Sequence, residues 1–311
     1  RLIPLAFAFA CALAQAQPAP QLAAKSWLLA DLTSGQVLAE EKAGERFAPA
    51  SLTKLMTAYV VFGALRDRLV STTTRIEVSE RAWRAPGSRM FIQPGVPVVA
   101  EELIHGMVVQ SGNDASIALA EAVAGSEEKF AGLMNREAAR LGMANTQFAN
   151  ATGMTASGHY STARDLSLLA GALIRDFPES YARYYADKEY RYNNITQINR
   201  NRLLWLDPSV DGMKTGYTEA AGYCLVASSQ RGGRRLVSVL LGAASDSARA
   251  QESQKLLNWG YQFFDGVRLF AADEAVKTVA VWKGAAPGVK AGFARGLVVT
   301  VPKGQAGRLK A

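Results

Sequence analysis

Histidine and cysteine are nearly missing from this chain: each occurs twice in 311 residues. Cys11 sits in an apolar amino-terminal stretch. A mature chain without that stretch would carry Cys224 alone, which excludes a disulfide framework and a cysteine metal site. Two histidines do not by their number exclude a Ser-His-Asp triad, but neither His105 nor His159 lies near a G-x-S-x-G nucleophile elbow, and both are read as structural. No metal and no cofactor are expected. A compact Lys/Arg patch interleaved with aromatics is also missing. The formal charge of +8 is therefore read as suiting an anionic cell wall or phospholipid surface, and nucleic acid is not expected as a partner.

What is present begins with a leader. One positive charge, Arg1, precedes an apolar run to Ala10 and small residues up to Ala14-Gln15-Ala16, after which Gln17-Pro18-Ala19-Pro20 breaks the chain. Residues 1–16 read as the remnant of a signal peptide, which predicts export to the periplasm or the outer face of the cytoplasmic membrane. With 49% hydrophobic residues, the rest can bury one large core and still leave a smaller unit.

Apolar segments at residues 25–30 and 37–40 flank Thr33-Ser34-Gly35-Gln36, the composition of a hairpin turn. The run 51–65 is apolar all round and predicts a buried helix with Ser51 at its amino end. A helical pattern over 101–123 is interrupted at Ser111-Gly112-Asn113-Asp114, where a breaker meets a helix-capping pair. Segments 223–228 and 236–241 surround Gly232-Gly233 as a second hairpin, and a helix over about 247–264 follows. Strands, helices, strands and a helix in this order predict an α+β fold, an antiparallel sheet flanked by helices with a helical insertion, over residues 22–266. Beyond it, segments 275–282 and 297–301 are short strands too few to close a core. Residues 267–311 are read as the start of an incomplete β-rich C-terminal domain.

The chemistry is carried by three short motifs. Lys54 is the only charged residue from Ser51 to Leu65, three positions after Ser51, so the two side chains leave one face of the helix. Burial disfavours the ammonium form, and a neutral amine can take the proton of the Ser51 hydroxyl. Ser111-Gly112-Asn113 places a hydroxyl and an amide on a helix-linking turn, suited to proton transfer and to holding a substrate amide. Lys214-Thr215-Gly216 begins a strand: the lysine supplies positive charge, the threonine hydroxyl can bind a carboxylate, and the glycine leaves room for a backbone to approach. Each motif alone is weak. All three in this order and at these separations rarely arise by chance.

They form the triple signature of the penicillin-interacting serine enzymes. Residues 199–205, 210–218, 221–223 and 255–260, with Ser161-Thr162-Ala163-Arg164-Asp165-Leu166, extend the likeness. The chain resembles the D-alanyl-D-alanine carboxypeptidases, the low-molecular-mass penicillin-binding proteins, over about residues 22–311. The resemblance implies that Ser51 attacks the carbonyl between the two terminal D-alanines of a peptidoglycan stem pentapeptide, with Lys54 as base, and that β-lactam antibiotics acylate the same serine. It implies that Ser111 passes a proton to the leaving amine, that Asn113 binds the substrate amide, and that Lys214 and Thr215 receive the terminal carboxylate, supported by Arg200 and Arg249.

Two departures stand out. Many members carry histidine after the K-T-G triplet, where this chain has Tyr217. Members also continue to an amphipathic helix that associates with the inner membrane, and the residues up to Ala311 contain no such anchor. The nearest rival, a class A β-lactamase, needs a deacylating glutamate in a loop before the K-T-G strand, yet no Asp or Glu lies between Glu137 and Asp165. A non-catalytic wall-binding module on the same fold is the other rival. It need not keep Ser51, Lys54, Ser111, Asn113, Lys214 and Thr215 together.

Overall fold

The computed structural model describes residues 18–309, so the leader read over 1–16 lies outside the described residues. The chain opens with β1 (Ser26–Asp31) and β2 (Gln36–Glu41), the expected hairpin. A 3-10 turn (Ala50–Thr53) leads into α1 (Lys54–Arg66). A helical block follows, pinned by two small ribbons: β3 (Arg75–Ile76), α2 (Glu80–Trp83), β4 (Val98–Val99), α3 (Ala100–Val109), α4 (Asn113–Ala124), α5 (Glu127–Arg140), α6 (Ala163–Asp176), α7 (Pro178–Tyr184), β5 (Glu189–Tyr192), β6 (Ile195–Ile198) and α8 (Leu203–Leu206). The chain then returns to the sheet with β7 (Val210–Thr218), β8 (Gly222–Arg231) and β9 (Arg234–Ala243), before α9 (Asp246–Phe263). Last come β10 (Phe264–Phe270), β11 (Ala275–Ala280), β12 (Gly288–Gly292) and β13 (Leu297–Pro302).

The central sheet runs β2-β1-β9-β8-β7 and every pairing in it is antiparallel. Gly232 and Gly233 join β8 to β9 with φ of +56° and +79°. Positive φ at both central residues is what a tight hairpin that follows the sheet's twist demands, and glycine meets it without strain. Alternation along the strands divides the core in two. Leu28, Ala30, Val226 and Val239 face α1, α4 and α6, whereas Trp27, Leu29, Leu225 and Leu236 face α9 through Leu256, Leu257 and Trp259. Helices therefore cover both faces.

Helix α1 is buried on all sides, from Leu55 to Phe62, as its uniform apolarity predicts. Truncating Phe62, which is 1% exposed and packs on Phe177 and Tyr184, would cost about 3–5 kcal/mol. The helices that flank it start on side-chain caps: Ser126 accepts from Lys129 N at 3.2 Å and Thr162 from Asp165 N at 3.0 Å. α4 differs from the sequence expectation. Asn113 and Asp114 are its first residues and Gly112 its N-cap, and both side chains reach outside the helix.

Strand β10 pairs with β13 and begins at Phe264, so a division at residue 266 falls inside a strand. Thr300 on β13 ties this ribbon to the first hairpin. Its hydroxyl donates to Asp31 Oδ2 at 2.7 Å and meets Ser34 Oγ at 2.7 Å, while its backbone exchanges two bonds with the Gln36 amide.

Candidate active site

The local backbone that carries Ser51 is not the α-helix expected. Ser51 lies in the 3-10 turn, where residues three apart eclipse one another, and α1 begins at Lys54. Ala50, just before it, has φ +48°, and Ser111 has φ +63°. Two non-glycine residues in the left-handed region, each costing on the order of 1–3 kcal/mol, mark where the fold accepts strain to aim side chains.

Lys54 is 1% exposed. Its Nζ contacts Ser51 Oγ at 3.2 Å, Asn113 Oδ1 at 2.7 Å and the Thr152 carbonyl at 2.5 Å. Two of these partners can only accept. A neutral amine has two hydrogens, which satisfy Asn113 and Thr152 and leave its lone pair for the Ser51 hydroxyl. Burial holds Lys54 down to about 7, helped by the nearby Arg200 charge and opposed by Asp114 and Glu127. Near neutral pH a large fraction is the base form.

Ser111 Oγ is buried beside the cleft and has no hydrogen-bond partner among the described residues. A hydroxyl placed there can donate to or accept from an atom bound in the cleft. Asn113 spends Oδ1 on Lys54 and one Nδ2 hydrogen on the Pro86 carbonyl at 2.6 Å, leaving a second N–H for a ligand. Asp114 accepts from the N–H groups of Met90, Phe91 and Ile92 at 3.0, 2.8 and 3.3 Å, fixing the loop that supplies Gly87 and Ser88 to the cleft wall.

The opposite wall is β7, the edge strand of the sheet. A Cβ on Gly216 would meet Ala50 Cβ, Pro49 O and Ser51 N, each at 3.2 Å, so the glycine allows the strand to approach Ser51. Lys214 is buried with Nζ 3.0 Å from Thr215 O; burial first, then the charges of Lys54, Arg200 and Arg249, push its ammonium well below the usual lysine range. Arg249 donates to Gly216 O at 3.1 Å and pairs with Asp246. Arg200, exposed, donates to Ser88 Oγ at 2.8 Å. Tyr217 packs on Tyr223 at the rim, the rings tilted by 35° with centres 4.4 Å apart.

The fold thus gathers Ser51, Ser111, Asn113, Thr215, Gly216, Arg200 and Arg249 around one cleft of about 490 Å3, with Lys54 and Lys214 buried at its wall. A larger hollow of about 680 Å3 lies over Tyr59, Arg140 and Phe177. Within it Tyr59 donates to Asp176 and accepts from Arg140. His159 is structural: Nδ1 accepts from Ala149 N, so Nε2 carries the proton toward Thr53 Oγ1, and burial lowers it to about 4. The residues that sequence reasoning missed are Thr152, which acts through its backbone carbonyl, and Asp114, whose acidic side chain beside Asn113 was the available signal.

A buried lysine in contact with a serine hydroxyl at one cleft is the arrangement of serine enzymes of the acyl-transfer kind. Residues 13–245 match the family model described as D-alanyl-D-alanine carboxypeptidase, and residues 264–311 match that of the penicillin-binding protein 5 C-terminal domain. The chain is 48% identical over 304 residues to D-alanyl-D-alanine carboxypeptidase DacC of Escherichia coli, covering 96% of this chain and 76% of that one. Penicillin-binding protein 5 of Haemophilus influenzae superposes with a TM-score of 0.89 at 38% identity, over 93% of this chain and 86% of that chain. Penicillin-binding protein D2 of Listeria monocytogenes in its ampicillin-bound form does so at 0.72 and 30% identity, over 79% of this chain and 100% of that chain. The chain belongs to the D-alanyl-D-alanine carboxypeptidase family.

Proposed function

We propose that this protein is a serine-type D-alanyl-D-alanine carboxypeptidase in which Ser51 is the nucleophile and Lys54 the general base. The observation that carries this reading is the contact set of Lys54 with Ser51, Asn113 and Thr152. Ser51 Oγ attacks the carbonyl carbon between the terminal D-alanines of a peptidoglycan stem peptide while its proton passes to Lys54 Nζ. The C–N bond then breaks, the leaving amine of D-alanine takes a proton through Ser111, and an ester on Ser51 remains for water to hydrolyse. The free N–H of Asn113 holds the substrate amide. Lys214 and Thr215, with Arg200 and Arg249 nearby, receive the terminal carboxylate. A β-lactam acylates Ser51 by the same step. Export to the periplasm or the outer face of the cytoplasmic membrane is part of this proposal, supported by the leader read at residues 1–16.

The test is intact mass after mixing with a penicillin. The wild-type protein should gain one penicilloyl group that persists for minutes, a barrier above roughly 20 kcal/mol, because the interval 138–164 offers no carboxylate to activate water. Ser51→Ala should gain none and release no D-alanine. Labelling of that variant overturns the nucleophile assignment, and loss of the wild-type adduct within a second favours a β-lactamase.

A further inference from the structure

Glu127 plays no part in the chemistry above, yet it is built into the wall behind Lys54. It is the first residue of α5 and is buried. Oε2 pairs with Arg81 of α2 at 2.7 Å, and Oε1 accepts from Ala151 N at 3.0 Å. Ala151 is held from its other side too: its carbonyl accepts from Thr57 Oγ1 of α1 at 2.7 Å. The next carbonyl, Thr152 O, is the one that receives Lys54 at 2.5 Å. Gly153 follows with φ +86°, so close to the nucleophile's turn that a Cβ there would meet Ala50 O at 1.9 Å. The segment 150–153 is thus wedged between α1 and α5, and a small displacement of Ala151 moves a partner of Lys54.

We propose that Glu127 is a positioning residue for acylation: it anchors the Ala151 N–H, thereby sets where the Thr152 carbonyl meets Lys54, and keeps a negative charge behind that amine. The proposal rests on Lys54 being the base for Ser51. The charged groups facing Lys54 are Asp114 from α4, Glu127 from α5, Lys214 from β7 and Arg200 from the segment before α8. Asp114 and Glu127 favour the ammonium, while burial and Arg200 oppose it. Removing the Glu127 charge removes a stabiliser of the ammonium, so the neutral amine persists to lower pH. The acidic limb of acylation must then move to lower pH.

Glu127→Gln removes the charge and keeps an acceptor for Ala151 N, while its amide nitrogen replaces the Oε2 that accepted from Arg81. Glu128→Gln is the control. Glu128 is 66% exposed in its side chain and pairs with the same Arg81. Rates of Ser51 acylation by a penicillin would be followed between about pH 5 and 9, with Tm recorded for each variant. Glu127→Gln should shift the acidic limb down by about half a pH unit, with its plateau lowered less than tenfold. Glu128→Gln should leave both unchanged, and Glu127→Ala should lower the plateau by about tenfold or more. A Glu127→Gln limb that coincides with wild type, or a Glu128→Gln limb that moves as far, overturns the proposal. Failure of the wild-type protein to take penicillin at all overturns the Ser51–Lys54 reading instead, so the two failures are distinct.

Discussion

Lys54 leaves the first turn of α1 into a set of waiting acceptors, whereas Lys214 leaves β7 into a space bordered by other cations. Both are buried in the wall of one cleft. Lys54 has Ser51, Asn113 and Thr152 as partners, with Asp114 and Glu127 in electrostatic reach. Lys214 has the Thr215 carbonyl as its hydrogen-bond partner among the described residues, and Lys54, Arg200 and Arg249 as charged neighbours. Burial alone does not set the role of a lysine; the unmet need of its surroundings does. The first amine stands among acceptors and a serine hydroxyl, the second beside other cations.

The most severe way to break this contrast is the same substitution at both positions. Lys54→Arg installs a cation that cannot deprotonate near neutral pH, and acylation should fall by about 10²–10⁴-fold. Lys214→Arg keeps the charge its surroundings must offer a carboxylate, and kcat/KM on a free-acid peptide should fall by only about tenfold. Equal losses would show that the two lysines do one job.

Proton linkage sharpens the contrast. Lys214 in the empty cleft titrates well below the usual lysine range, and a bound carboxylate raises it. Between those two values the complex holds more protons than the free protein, so binding takes up protons from solution, to a limit of about one per site. Calorimetry of a free-acid peptide binding to Ser51→Ala, in buffers of different ionisation enthalpy at a series of pH values, measures that uptake. It should vanish with the carboxy-terminal amide and in Lys214→Gln. Uptake that survives in Lys214→Gln assigns the proton to another group.

The smallest effect is expected at the rim. Arg200 is exposed and bonded to Ser88, so Arg200→Ala should raise KM for a free-acid peptide a few-fold, less at high salt. Arg249 is buried against Gly216 O, and its loss should cost more. Equal effects on acid and amide substrates would remove either residue from carboxylate binding.

The pairing of Ser51 with Lys54 was legible because it is local: three residues along one buried segment put both groups on one face. Ser111, Asn113, Lys214 and Thr215 were legible only as members of an ordered set, since nothing in their own neighbourhoods says that α4 and β7 will face each other across Ser51. Asp114 was read as a helix cap. A carboxylate at a helix start has that local use, and here it accepts from Ala115 N as well, but three N–H groups more than twenty residues away share it. Thr152 was out of reach altogether, because a backbone carbonyl carries no residue-type signature. The ribbons β3–β4 and β5–β6 were missed for a related reason: strands of two and four residues are too short for alternation to register.

Helix α9 passes into β10 between Phe263 and Phe264 with no intervening residue. Trp259 packs on Phe264 with ring centres 5.1 Å apart, and Arg234 of β9 donates to Phe264 O at 2.7 Å while its Nε grips Asp31. Asp31 is also the residue that Thr300 seizes from β13. In mechanical terms the joint is a bracket bolted at two points, not a tether. A pull on the carboxy-terminal ribbon is borne by β9 and β1 of the central sheet, through Arg234 and Asp31.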